Sequence, residues 1–200
     1  MRLAILPVLA LALTLVAGTN GALAQSIEIT FDLAGTQHEG EILPGSVATL
    51  YILARPGVLG GFTGAEFWVN GVPANWPRTV IPNPANSITL GNPLATSPPF
   101  RADIGFPICM RPDANGVVLL YSVFLVPVGL VTDGCLLAQV AIPPTNSMCT
   151  TPILWRNCYP PEDTFAAATG VPFIMNPVTH QCTVGVEAAT WGGIKHLYTE

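Results

Sequence analysis

Charge is what this chain has least of. Only 10% of its 200 residues are Asp, Glu, Lys or Arg, with 7 basic against 12 acidic side chains and a formal net charge of −5. So few cations on an acidic background leave no electrostatic footprint for nucleic acid or anionic lipid, and both are excluded as partners. Histidine is scarcer still, at 3, and His38, His180 and His196 share no helical or strand spacing. No G-x-S-x-G, H-E-x-x-H, P-loop or dinucleotide fingerprint occurs. The one adjacent acidic pair, Glu162-Asp163, follows Pro160-Pro161 in a stretch that reads as an exposed loop. A glycosidase pair assembled from distant carboxylates is the enzymatic arrangement that spacing leaves open. The expectation is a non-enzymatic protein without a cofactor.

Disorder is excluded by the opposite feature, since 50% of the residues are hydrophobic. With 19 Gly and 20 Pro, the chain is cut into short elements separated by turns. Met1 to Gln25 has the three parts of a secretory signal: Arg2, an apolar run from Leu3 to Val16, and the small-residue site Ala22-Leu23-Ala24. Residues 1–24 are therefore read as a signal peptide. The mature chain is expected to be secreted or at the cell surface, with the periplasm as an alternative. A second apolar run, Gly116 to Pro143, has no charge between Val117 and Val131. A bilayer crossing needs about 20 apolar residues in a helix. This run is shorter and carries Pro127 and Gly129, so no membrane span is expected. It reads instead as a core hairpin with strands near Val117 to Val126 and Cys135 to Ile142.

Period-two alternation marks further strands. Ser26 to Leu33 puts Ile27, Ile29, Phe31 and Leu33 on one face and Glu28, Thr30 and Asp32 on the other. Ser46 to Ala54 is more thoroughly apolar. Phe62 to Asn70 turns Ala65, Phe67 and Val69 toward a core and Glu66 and Trp68 away from it. Shorter strands fit Ser87 to Leu90, Ala102 to Phe106, Ile153 to Arg156, Val171 to Met175 and Cys182 to Glu187. Thr190 to Tyr198 fits a turn or two of helix with Trp191, Ile194, Leu197 and Tyr198 on one face. The fold expected is all-β, an antiparallel β-sandwich over residues 25–187, with a short C-terminal helical segment at 188–200 packed on it.

Five cysteines in an exported chain point to disulfides. Extending the hairpin register outward brings Cys109 near Cys149, which selects Cys109–Cys149 and Cys158–Cys182 as bridges. Cys135 is left as a buried thiol. Other pairings of the five stay open to the chain.

Ligand-binding candidates are few. Trp68 projects away from the core beside Glu66 and Asn70, and with Trp76 it offers a stacking platform for sugars. Met175, His180 and Cys182 are ligand types of copper sites, but a second histidine is missing. Asp113 and Asn115 in Arg111 to Gly116 supply too few oxygens for calcium and fit an Asx turn entering the next strand. No metal is expected.

Two resemblances follow from longer stretches. Ile42 to Trp76, with PGSVATLYILA and GFTGAEFWVNGVPANW, resembles the opening of cohesin-like sandwiches, which implies a cohesin-like or jelly-roll arrangement. The ending CTVGVEAATWGGIKHLYTE resembles the close of an uncharacterised group of secreted bacterial proteins. The matching residues are Val186, Glu187, Thr190, Trp191, Ile194, Lys195, Leu197 and Tyr198. That group also shares segments like Asn83-Pro84, LGNPL at Leu90 to Leu94 and GVVLLY at Gly116 to Tyr121. This likeness implies an exported β-domain and brings no activity. The cysteines and the terminal helix depart from the cohesin pattern, so dockerin binding is not implied.

The function expected is a secreted or surface structural or protein-interaction module, with another surface protein as partner. One alternative is a carbohydrate-binding module taking a polysaccharide on Trp68. A second gives the C-terminal segment to export or surface attachment.

Overall fold

The computed structural model describes residues 25–57, 60–85, 87–98, 100–129, 134–139, 153–156, 158 and 165–177. The expected signal peptide, the strand expected at Cys182 to Glu187 and the expected terminal helix lie outside the described residues. Within them there are twelve strands and no α-helix.

The strands are β1 (Ser26–Thr30), β2 (Glu39–Gly40), β3 (Ala48–Arg55), β4 (Phe62–Asn70), β5 (Arg78–Pro82), β6 (Ile88–Gly91), β7 (Ala102–Met110), β8 (Val118–Leu125), β9 (Gly134–Gln139), β10 (Ile153–Arg156), β11 (Phe165–Val171) and β12 (Phe173–Met175). One layer runs β5–β8–β3–β1, and the other places β6 beside β7, β7 beside β4, and β4 beside both β9 and β10. Strand β11 belongs to both layers. Its first half pairs with β10 antiparallel, and its second half pairs with β1 parallel, Ser26 opposite Thr169. Strand β12 extends β9 and takes β2 as a parallel neighbour. Apart from these two parallel ladders the pairing is antiparallel, as expected.

Between the layers lies one apolar core. Ile29, Leu50, Ile52, Val123 and Leu125 come from the first layer and meet Phe67, Val69, Ile104 and Leu136 from the second, all under 4% exposed. Phe67 and Tyr121 meet edge to face across the gap at 6.2 Å. The alternation in β4 holds as read: Ala65, Phe67 and Val69 are buried, with partly exposed residues between them.

Three expectations are corrected. First, β8 and β9 do not form a hairpin. Phe124 pairs with Thr49 and Thr79, whereas Cys135 pairs with Ile174 in the opposite layer. The two strands belong to opposite layers, an arrangement that apolar composition alone does not distinguish from a hairpin.

Second, the cysteine pairing fails with the hairpin that suggested it. The bond is Cys109–Cys158, Cα atoms 5.5 Å apart, in place of Cys109–Cys149 and Cys158–Cys182. Cys109 lies near the end of β7 and Cys158 two residues past β10, so both belong to the layer built around β4. Cys135 is also disulfide-bonded and is not a thiol. Cys149 and Cys182 lie outside the described residues. In the chain-entropy picture, a loop closed over 49 residues is worth about 4 kcal/mol.

Third, β1 has no solvent face. Ser26, Glu28 and Thr30 are 5%, 4% and 0% exposed, because the chain after β1 folds back over its polar side. Asp32 sets that turn: its carboxylate accepts N–H bonds from Thr36 and Gln37, both at 2.9 Å, and the Thr36 hydroxyl. Gly35, at φ +69°, lies where a Cβ would come within 2.9 Å of the Arg55 guanidinium and 3.2 Å of Leu53 and Val117. Only glycine lets the turn settle there. The strand read to Leu33 stops at Thr30, and Leu33 is 51% exposed.

Candidate interaction face

Strands β6, β7, β4 and β10 lie side by side, and residues directly opposite one another share a face. One outward row runs Ile88, Gly105, Gly64 and the Arg156 position. The next runs Leu90, Asp103, Glu66 and the Leu154 position. Trp68 follows on β4. The neighbours that point the other way, Ala65, Phe67, Ala102 and Ile104, are buried.

Two properties distinguish this face. Its edge strand β6 carries Ile88 at 68% and Leu90 at 64% exposure, among the most exposed large apolar residues described. Beside them Gly105 and Gly64 leave a floor without side chains. A Cβ added at Gly105 would meet nothing nearer than the Thr63 carbonyl at 3.9 Å, so the space above it is open. At Gly64 a Cβ would lie 2.9 Å from the Ile104 carbonyl oxygen, so this strand contact needs glycine.

The wall of this shallow trough is an ion cluster. Arg101 donates from Nε to both oxygens of Asp103 at 3.0 and 3.1 Å, and its Nη2 lies 3.0 Å from Glu66 Oε2. One cation thus serves two carboxylates that sit opposite each other on adjacent strands. Partial burial raises the Glu66 pKa; Arg101 opposes the rise, while Asp103 adds to it by repulsion and by a side-chain hydrogen bond.

Trp68 is half-buried here. Its indole N–H donates to the Ala95 carbonyl at 3.2 Å and its ring leans on Phe100 at 4.7 Å. A groove of about 180 Å³ opens beside it, lined in part by Asn70, Val72, Arg78 and Leu94. Arg78 organises the surrounding loops: its guanidinium donates to the carbonyls of Pro73, Ala74, Trp76 and Leu94, and burial lowers its pKa.

Of the four residues expected to bind a ligand, Glu66, Trp68 and Asn70 do share the outward side of β4. Trp76 does not. It is 5% exposed and belongs to the core, so it cannot extend a stacking strip. Arg101, Asp103, Ile88, Leu90 and the two glycines were not singled out from sequence. The signal was present in the alternation of Ile88-Thr89-Leu90 and of Ala102 to Phe106, which fixes their faces once both are strands.

Asp113 closes the Asx turn expected of it, accepting N–H bonds from Asn115 at 2.8 Å and Val117 at 3.2 Å. Among the described residues no group of three or more His, Cys, Asp or Glu side chains is placed to hold a metal. Met175 is a core residue, while His180 and Cys182 lie outside the described residues. No described helix is long and apolar enough to cross a membrane.

No protein-family model matches the chain, and no curated protein matches it. The solved structures to which it is similar include cohesin modules. One is the sixth cohesin from scaffoldin B of Acetivibrio cellulolyticus, in complex with a mutant Cel5 dockerin. It is 9% identical, with a TM-score of 0.49, covering 76% of this chain and 98% of that one. Another is the seventh ScaB type I cohesin of Pseudobacteroides cellulosolvens, 11% identical with a TM-score of 0.47 over 79% of this chain and 97% of that one. A third is a non-cellulosomal cohesin from Archaeoglobus fulgidus, 12% identical with a TM-score of 0.41 over 76% and 91%.

Proposed function

We propose that this is a non-enzymatic protein-interaction module, acting outside the cell or at its surface, and that it binds its partner on the outward face of β6, β7 and β4. The observation that carries this reading is the pair Ile88 and Leu90, standing exposed on an edge strand over a glycine floor. Exposed apolar side chains rimmed by polar groups mark interaction surfaces. Here the rim is the Glu66–Arg101–Asp103 cluster, which adds orientation more than affinity. The outer edge of β6, which pairs only with β7 among the described residues, also offers main-chain groups for β-augmentation.

Polysaccharide binding has a narrower footing. Trp68 borders a groove, but its N–H is engaged, and among the described residues no second exposed tryptophan lies beside it. A glycan array on the domain separates the two readings, since Trp68→Ala-sensitive binding to a polysaccharide would favour this alternative.

The direct test is a partner isolated on the immobilised domain, purified, and titrated against wild type and Leu90→Asp. Because Leu90 is exposed, the substitution should leave the melting temperature within about 2 °C. The expected result is affinity weakened at least tenfold. Unchanged affinity for Leu90→Asp and Ile88→Asp would remove this face from the function.

A further inference from the structure

A second apolar surface lies apart from that face. Leu43, Val47 and Val128 are 53%, 65% and 50% exposed. They are held together by one tight turn: the Ser46 N–H donates to the Leu43 carbonyl at 3.3 Å, and the Gly45 N–H donates to the Pro127 carbonyl at 2.9 Å. Three branched aliphatic side chains thus stand exposed around the turn that enters β3.

The chain leaves the described structure at the edge of this patch. After β12, Asn176 turns through φ 47°. Its side-chain oxygen accepts the Ile42 N–H at 2.6 Å, its side-chain nitrogen donates to the Ile42 carbonyl at 3.1 Å, and its backbone N–H donates to Gly40 at 2.9 Å. The exit is therefore fixed one residue from Leu43.

We infer that residues 188–198 fold back and dock on the Leu43–Val47–Val128 patch. The chain between Pro177 and Thr190 can extend roughly 40 Å, far more than the path to a patch that begins beside the exit. Trp191, Ile194, Leu197 and Tyr198 recur at helical spacing and form an apolar stripe that matches an apolar seat. Gly192-Gly193 weakens the helix in isolation, so it depends on a surface to form. Charge agrees: Glu39 on β2 and Glu41 just after it are exposed on the chain leading to the patch, and Lys195 flanks the stripe. The segment thereby becomes a structural clasp, and the site is independent of the β6–β7–β4 face.

Hydrogen exchange on the full chain, read by mass spectrometry, tests this. Amides of 190–198 should exchange at least tenfold slower than an unstructured chain. The double variant Leu43→Asp/Val128→Asp should abolish that protection and leave β8 protected as in wild type. Independently of the apolar seat, Glu41→Lys should weaken protection of 190–198, and adding Lys195→Glu should restore it. Exchange at the unstructured rate in wild type overturns the proposal and favours the segment as an export or attachment signal. Protection indifferent to all of these variants also overturns it. So does protection lost on dilution together with a dimer-to-monomer change in light scattering, which would make a second copy the occupant.

Discussion

Two ion clusters stand on the outer faces of the two layers, and they are built differently. On the β1–β3 side, Arg55 grips Glu28 with both arms of its fork, at 2.7 and 2.9 Å, and Ser26 adds a hydroxyl bond at 2.8 Å. Spare guanidinium hydrogens reach the carbonyls of Asn115 at 3.0 Å and Gly35 at 3.2 Å, tying two loops down over the pair. His38 comes within 3.9 Å of the same carboxylate. On the β4–β7 side, Arg101 is divided between Glu66 and Asp103. The side chains of Arg55 and Glu28 are 23% and 5% exposed, and those of Arg101, Glu66 and Asp103 are 28%, 13% and 27% exposed. One cation per carboxylate under a lid is a fastening. One cation shared by two partly exposed carboxylates is a surface able to take another cation from outside.

The largest effect should come from breaking the covered cluster. Arg55→Met leaves Glu28 buried without its cation and frees both loops, and is expected to cost about 3–5 kcal/mol in urea unfolding. Partner binding by the remaining folded protein should be unchanged. The matching change in the open cluster, Arg101→Met, should cost under about 1 kcal/mol because water screens it. Similar losses from the two substitutions would erase the distinction.

A pH series sharpens the contrast. The Glu66 pKa is raised above the ordinary glutamate value of 4.5 by partial burial. Its folded form therefore favours the proton. The associated stability is fully present below 4.5 and is lost as pH rises through the raised value. Glu66→Gln should flatten the stability profile in that window and leave neutral-pH stability unchanged or slightly higher. A profile identical to wild type would mean Glu66 is not strained.

The smallest effect on stability is expected at Gly105→Ala, within about 0.5 kcal/mol by thermal melting, because the space above it is open. The same methyl fills the trough floor, so partner affinity is where its effect should appear.

Much of the fold was legible because one side of each layer faces a core. The alternation in β4 assigns Phe67 inward and Glu66 and Trp68 outward, and both assignments hold. Strand β5 escaped notice because Pro77 precedes it and Pro82 is its last residue, yet an edge strand tolerates proline. Strand β11 escaped because Ala166-Ala167-Ala168 and Gly170 have little strand preference of their own; pairing with β10 and then with β1 imposes it. The burial of Glu28 was illegible for a different reason. Period two says which side a residue faces, not whether a later loop will cover that side. The candidate face shows the same division: Glu66, Trp68 and Asn70 could be placed by counting along one strand. The partnership of Arg101 with two carboxylates needed the register between strands, which no single stretch contains.

The strand shared by both layers has a mechanical consequence. β1 and the second half of β11 run parallel, so tension applied to the start of β1 and the end of β11 slides one strand along the other. The ladder between them is loaded in shear, with its hydrogen bonds bearing force together instead of opening one by one. Force entering at one end of the domain is passed to the other through that short ladder.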